Sequence, residues 1–390
     1  MDPTHGRYLL PTAQVEKALD ASSQITTLQR RVFFNPNEVA SSSSRIVKGE
    51  DVTLTEAELQ DVGGNDEWIY YKVWELKDEF LEDRGGRGVD VVYVHVTRNT
   101  IHPESATKHT IHLRLTENSG RYAFQCEEIL KAGFRVVLPD MPGVHVDLKQ
   151  ARHGRSTGVH GYLPTARSLP DAVFTVLQDL RTLSSSTASP PRKTFLTGTS
   201  MGGLTVLYAL TTADRFTAEE REKMPPVHGA FAMCPLLDVP DRPNAIVTAV
   251  GKLLVKVAGK VPLLDGGPLD LISDDARVPA EFRQDPMNYT GKLRIATGIA
   301  LLNAFTETVD NAGFTKTPIR LLHGDSDRTT SHKASMEYME KVKSADKSIK
   351  IYEGYQHVMV KVVDGKSEEA DFARNSAVLN DWKTWLLERS

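Results

Sequence analysis

The segment Gly198-Thr199-Ser200-Met201-Gly202-Gly203 constrains this chain more than any other. Before it runs an apolar stretch, 193–199, that reads as a strand. After it runs 201–210, which reads as a helix. A serine at such a junction sits on a sharp turn with strained backbone angles. Glycine is needed two residues to either side, because a bulky side chain there would collide with its neighbours. The turn lifts the serine hydroxyl out of the sheet. It also leaves the Met201 N–H free at the helix start, where it can stabilise a developing oxyanion.

The surrounding pattern supplies the scaffold that this turn requires. Strands are expected at 69–76, 89–95, 134–139, 227–234, 319–323 and 349–353, and helices at 121–132, 169–183 and 372–387. The run 89–95 is β-branched and apolar throughout, as in a parallel strand buried on both faces. Alternation of this kind implies a mostly parallel sheet with helices on both sides. Residues 81–88 read as a turn. Residues 1–65 are polar and read as an N-terminal extension leading into edge strands. The stretch 236–314 breaks the alternation. It is helical in character, rich in Pro and Gly, and shows no clear strand. The expected division is therefore 1–65, a first core part 66–235, a helical cap 236–314, and a second core part 315–390.

A serine hydroxyl is a weak nucleophile and needs a base. Two later strands run into loops that carry suitable groups. One ends in His323-Gly324-Asp325-Ser326-Asp327, the other in Tyr352-Glu353-Gly354-Tyr355-Gln356-His357. Loops that follow parallel strands emerge at the same sheet edge, where ligands bind in open α/β sheets. His357 is the expected base. Asp325 and Asp327 compete for the acid, and Asp325 suits a turn cap. His323 ends a strand and is expected to point away from the site. His102, His109 and His112 lack a carboxylate to complete a metal set.

Together these segments, with His153-Gly154-Arg155-Ser156-Thr157-Gly158 and Asp285-Pro286-Met287, resemble the monoglyceride lipase and lysophospholipase branch of the α/β-hydrolases. The resemblance runs from about Tyr70 to the C-terminus. It implies an α/β-hydrolase fold, with a helical cap inserted after the sixth strand. It favours Asp327 over Asp325, so the implied catalytic set is Ser200, Asp327 and His357. It implies hydrolysis of lipid carboxylic esters, monoacylglycerol first among them, through an acyl-enzyme and without cofactor or metal. A general carboxylesterase, a lysophospholipase and a non-catalytic lipid-binding homologue stay open beside it.

The chain departs from that family in two places, both on the oxyanion side. Relatives carry His-Gly after the strand that here ends at His95, and the next residue of this chain is Val96. Val96 therefore stands where the second oxyanion N–H is expected, beside that of Met201. The familiar pattern resumes only near Gly120-Arg121-Tyr122, so 96–119 reads as an insertion. A second interruption covers 144–152. Reshaped specificity, a weakened relative, or unspliced sequence translated in frame would each produce such loops.

Bulk properties narrow the partners. The net charge of the 390 residues is −4, with no long run of one sign, which argues against nucleic acid. No stretch reaches about 18 uninterrupted apolar residues, so no bilayer span is expected. Two cysteines and no secretory pattern at the N-terminus suggest a cytoplasmic, reducing setting. Within the cap, 245–261 is amphipathic, with Lys252, Lys256 and Lys260 at i, i+4 spacing. It reads either as an interfacial helix for a membrane or lipid-droplet surface or as a packed cap helix. Gly251 and Gly259 are expected to weaken it. The run 295–305 returns from the cap, as core or as acyl-pocket lining.

Overall fold

The computed structural model describes residues 11–34, 50–51, 67–81, 84–96, 119–141, 156, 161–184, 192–238, 242–264, 269–285, 292–362 and 366–390. The strands are β1 (Ile25–Phe34), β2 (Glu50–Asp51), β3 (Glu67–Leu76), β4 (Val89–Val96), β5 (Arg135–Pro139), β6 (Lys193–Ser200), β7 (Gly229–Met233), β8 (Pro262–Leu264), β9 (Leu293–Arg294), β10 (Ile319–Gly324) and β11 (Lys347–Tyr352). Nine of them form one sheet in the order β11-β10-β7-β6-β4-β5-β3-β1-β2. From β5 across to β11 all neighbours are parallel, whereas β3 is antiparallel to both β5 and β1.

The central strands are buried on both faces, as their unbroken apolar runs require. In β4, Val92 and Val94 face one core, while Val91 and Tyr93 face the other. The first core is closed by the helices Ser168–Ser184 and Met201–Asp214. The second is closed by Ala123–Lys131 and Glu369–Leu387, with Trp382 and Trp385 against the sheet. Helix Met201–Asp214 is buried from Met201 through Thr212, because the apolar helix Ile295–Asp310 covers its outer side.

The N-terminal region supplies edge strands, β1 and β2, as expected, and adds a helix that its sequence did not announce. It contains a helix, Pro11–Asp20, and a ten-residue strand, β1, that pairs along the full length of β3. Polar residues dock both elements. Lys72 Nζ lies 2.6 Å from Glu16 Oε1 and 2.6 Å from Asp20 Oδ2, and Trp74 Nε1 donates to Asp20 Oδ1 at 2.8 Å. Arg30 forks onto both Asp179 oxygens at 2.9 and 3.0 Å, and the Tyr71 hydroxyl donates to the same carboxylate. These buried charges are matched only across 52 to 149 residues of chain, so apolar periodicity does not reveal them. The turn expected at 81–88 is preceded by a single helical turn, Asp78–Leu81.

Between β7 and β10 the described chain forms the helices Ala245–Ala258, Arg277–Gln284 and Ile295–Asp310 and the small β8–β9 pair. That pair corrects the strandless reading of this stretch. Two or three residues are too few to show a period-2 pattern. The glycines of the first helix also have another role. A Cβ on Gly251 would lie 2.9 Å from Ile299 Cδ1, and one on Gly259 3.2 Å from Ala296 Cβ. They permit close packing on the returning helix. Helix 295–310 is largely buried, including Leu301, Ala304 and Phe305, which makes it core.

Candidate active site

Ser200 closes β6 at φ 58° and ψ −119°, with the helix Met201–Asp214 starting at the next residue. That backbone state is sparsely populated for a non-glycine residue and costs roughly 1–3 kcal/mol. The surroundings enforce it. A Cβ on Gly202 would sit 2.1 Å from the Val94 carbonyl oxygen, and one on Gly198 2.4 Å from that of Gly202. The Ser200 carbonyl accepts the Leu236 N–H at 3.0 Å, which fixes the turn against the end of β7. Met201 is the first helical residue, so its N–H has no acceptor within the helix. Val96 ends β4 directly beside Ser200 in the sheet register. The segments 97–118, 142–155 and 157–160, with the first insertion's histidines and most of the second family motif, lie outside the described residues. Of that motif Ser156 is described. It accepts the Tyr70 N–H at 2.8 Å and donates to the Asp140 carbonyl.

Asp327, not Asp325, is the carboxylate that meets His357. Its Oδ2 lies 2.8 Å from His357 Nδ1. The loop after β10 folds so that Oδ1 accepts the backbone N–H groups of Thr329 at 2.6 Å and Thr330 at 3.0 Å, while the Thr330 hydroxyl donates to Oδ2 at 2.7 Å. Burial pushes the Asp327 pKa up. The charge that His357 can carry and the hydrogen bonds from His323 and His357 outweigh it, holding the acid well below the usual carboxylate range. Asp325 instead caps its turn, accepting Gly354 N–H at 2.7 Å and the Ser326 hydroxyl at 2.9 Å.

With Nδ1–H committed to an ionised carboxylate, His357 Nε2 carries the free lone pair. This atom is buried and has no hydrogen-bond partner among the described residues. The histidine loop is held from the cap side: Val358 N–H donates to the Ile272 carbonyl at 3.1 Å, and Asp274 N–H to Gln356 Oε1 at 2.8 Å. Arg328 reaches across to Asp274 and so ties the acid loop to the same segment. A cleft opens beside His357. Arg121, Gln125 and Thr199 give it polar walls; Ile272, Phe282 and Met359 give it apolar ones. Arg121 also lies 4.0 Å from Asp285 of the cap; Pro286 and Met287 of that motif lie outside the described residues.

Sequence reasoning missed several of these groups. His323 does not point away: its Nε2 lies 3.2 Å from Asp327 Oδ2. Being the fifth residue of a strand told only its face; the tight loop that follows brings Asp327 back under it. Thr330, Asp274 and Gln356 carry no pattern that a single sequence displays. Cys234, at φ 43°, lies against the same carboxylate. One ligand atom each from Cys234, Asp327 and His357 lies within 4.8 Å of the others. Burial and the Asp327 charge push the Cys234 thiol well up.

The family model described as "Serine aminopeptidase, S33" matches residues 107–361, well over half of the chain. The chain belongs to this family of α/β-hydrolases. This S33-type chain is an ester hydrolase by class. It is 30% identical over 279 residues to the monoglyceride lipase of Homo sapiens, covering 70% of this chain and 80% of the relative. It is 27% identical over 274 residues to the monoacylglycerol lipase of Mycolicibacterium smegmatis, covering 70% and 84%. A caffeoylshikimate esterase of Arabidopsis thaliana is 27% identical over 272 residues, covering 68% and 72%. Among solved structures, the monoacylglycerol lipase of Paleococcus ferrophilus has the same fold, with a TM-score of 0.57 at 23% identity, covering 77% of this chain and 95% of that one. A soluble variant of the Saccharomyces cerevisiae monoglyceride lipase also gives 0.57, at 17% identity, covering 83% and 92%. Among the described residues no helix is long and apolar enough to cross a membrane.

Proposed function

We propose that this chain hydrolyses carboxylic esters of lipids, with monoacylglycerol as substrate and fatty acid and glycerol as products. The observation that carries this reading is a His357 whose Nδ1 is bound to Asp327 and whose Nε2 is buried and unpaired among the described residues, on the sheet edge where β6 ends in a strained Ser200. In this reading His357 Nε2 takes the Ser200 proton as Oγ attacks the acyl carbonyl. The Met201 N–H, and a second donor at Val96, stabilise the oxyanion. The alcohol leaves with the proton from His357, and water cleaves the acyl-enzyme by the same route. The kinship with monoglyceride lipases supports the substrate class.

The cap supports a lipid setting as well. Eight of the twelve large apolar side chains that stand exposed among the described residues lie within 246–264: Ile246, Val247, Val250, Leu253, Val257, Val261, Leu263 and Leu264. A patch of this kind suits a lipid surface, with Lys252 and Lys256 near anionic headgroups. The two cysteines, both free and buried, suit a reducing compartment such as the cytoplasm.

The test is reaction of the parent and Ser200→Ala with a fluorophosphonate probe, followed by glycerol release from monoacylglycerol and turnover of a caffeoyl ester. Labelling and glycerol release by the parent alone are expected, with turnover lower by about a millionfold in Ser200→Ala. A folded parent that takes no label overturns the catalytic reading. Labelling with turnover of the caffeoyl ester only overturns the lipid reading.

A further inference from the structure

Asp327 presents one carboxylate oxygen to two imidazoles. His357 Nδ1 reaches Oδ2 at 2.8 Å and His323 Nε2 reaches the same atom at 3.2 Å. His323 is fully buried, and its other nitrogen, Nδ1, lies 2.9 Å from the hydroxyl of Ser335 on the helix His332–Lys341. The partners fix the protons. Nε2 also lies 3.2 Å from the Thr330 hydroxyl, whose own hydrogen goes to Asp327 Oδ2, so both groups that face Nε2 can only accept and Nε2 carries the hydrogen. Nδ1 is then an acceptor, and the Ser335 hydroxyl donates to it. Burial lowers the pKa of His323 against the opposing pull of Asp327. The ring is therefore a neutral donor near neutral pH, not a second cation.

We propose that His323, held in this tautomer by Ser335, is a positioning residue for the reaction: its Nε2–H divides the Asp327 carboxylate with His357 and so sets how strongly Asp327 supports the His357 imidazolium. This rests on the reading of Ser200, His357 and Asp327 as the catalytic set. An acceptor that already takes one hydrogen bond gives a weaker one to its second donor. Withdrawing the His323 donor therefore strengthens the pull on His357 Nδ1–H and makes its ring harder to deprotonate. The groups that face His323 come from four elements. The loop after β10 brings Asp327 and the Thr330 hydroxyl, and the loop after β11 brings His357. The helix brings Ser335 and the ring of His332, centred 6.2 Å away, and the end of β7 brings Cys234.

The experiment is kcat/KM for a soluble p-nitrophenyl ester from about pH 5 to pH 9, for the parent, His323→Phe, His323→Gln and Ser335→Ala. Melting temperature and fluorophosphonate labelling of Ser200 are measured for each. His323→Phe is expected to move the acid limb up by about one pH unit. His323→Gln keeps an N–H within reach of Asp327 and is expected to return the limb towards the parent. Ser335→Ala frees the tautomer and is expected to move the limb in the same direction by less. An acid limb that stays put in His323→Phe while the melting temperature falls overturns the proposal and leaves a packing role. If His323→Phe does not fold, an unmoved limb in Ser335→Ala overturns it equally. A parent that Ser200 labelling does not detect defeats the catalytic reading; a labelled parent with unmoved variants defeats this inference alone.

Discussion

The carboxylate of Asp327 stands 2.8 Å from His357 Nδ1 and is filled by donors on both oxygens. Asp327→Asn places an amide where the ring needs an acceptor and inverts the histidine tautomer. Turnover of a soluble ester is expected to fall by about ten-thousandfold, with the protein still folded. Steady-state kinetics beside circular dichroism check this.

The same carboxylate predicts an acid dependence of stability. Its pKa in the folded protein lies below the ordinary unfolded value of about 3.9. The stability it contributes is thus present above about pH 4 and lost as pH falls through the depressed folded value. The gap in unfolding free energy between the parent and Asp327→Asn is expected to narrow below about pH 4. Denaturant titrations along that range measure it.

Gly202 leaves no room for a methyl group, since its Cβ would press on the Val94 carbonyl at 2.1 Å. Gly202→Ala is expected to cost about 3 kcal/mol or more, because backbone must yield rather than a side chain, and to abolish probe labelling. Gly313→Ala, whose Cβ would meet nothing nearer than the Lys341 oxygen at 3.8 Å, is the tolerated control. Thermal melts of the pair separate the two.

Lys72 is buried between Glu16 and Asp20. Lys72→Met retains the stem but strands the buried Glu16 carboxylate. A loss of about 3–5 kcal/mol in unfolding free energy is expected, the usual cost of removing one partner of a buried pair. Truncation of residues 1–24 is expected to destabilise the core comparably, which an expression and melting comparison would reveal.

Leu253 and Val257 are 67% and 85% exposed on the cap helix. The double change to serine is expected to weaken flotation with anionic vesicles by more than about tenfold, given the apolar area lost. Hydrolysis of a soluble ester should not change. Equal flotation of parent and variant would remove the cap as the contact surface.

Much of this protein is written locally. The strand, serine and helix of the elbow adjoin in sequence, as do the strands and loops that carry Asp327 and His357, so their order and sheet edge were legible from periodicity and glycine placement. The choice of Asp327 over Asp325 needed either kinship or geometry, because both follow the same strand within three residues. What only the folded chain decided depends on partners distant in sequence. His323 turns out to face Asp327 because a tight loop doubles back. The N-terminal helix is anchored because Lys72 meets Glu16 and Asp20. Helix 245–258 packs through Gly251 against Ile299 and leaves Ile246, Val250, Leu253 and Val257 exposed. Hydrophobic period records which residues seek the interior of one element. It carries no record of how buried charges and hydrogen bonds are matched between elements, and tertiary packing alone makes those pairings.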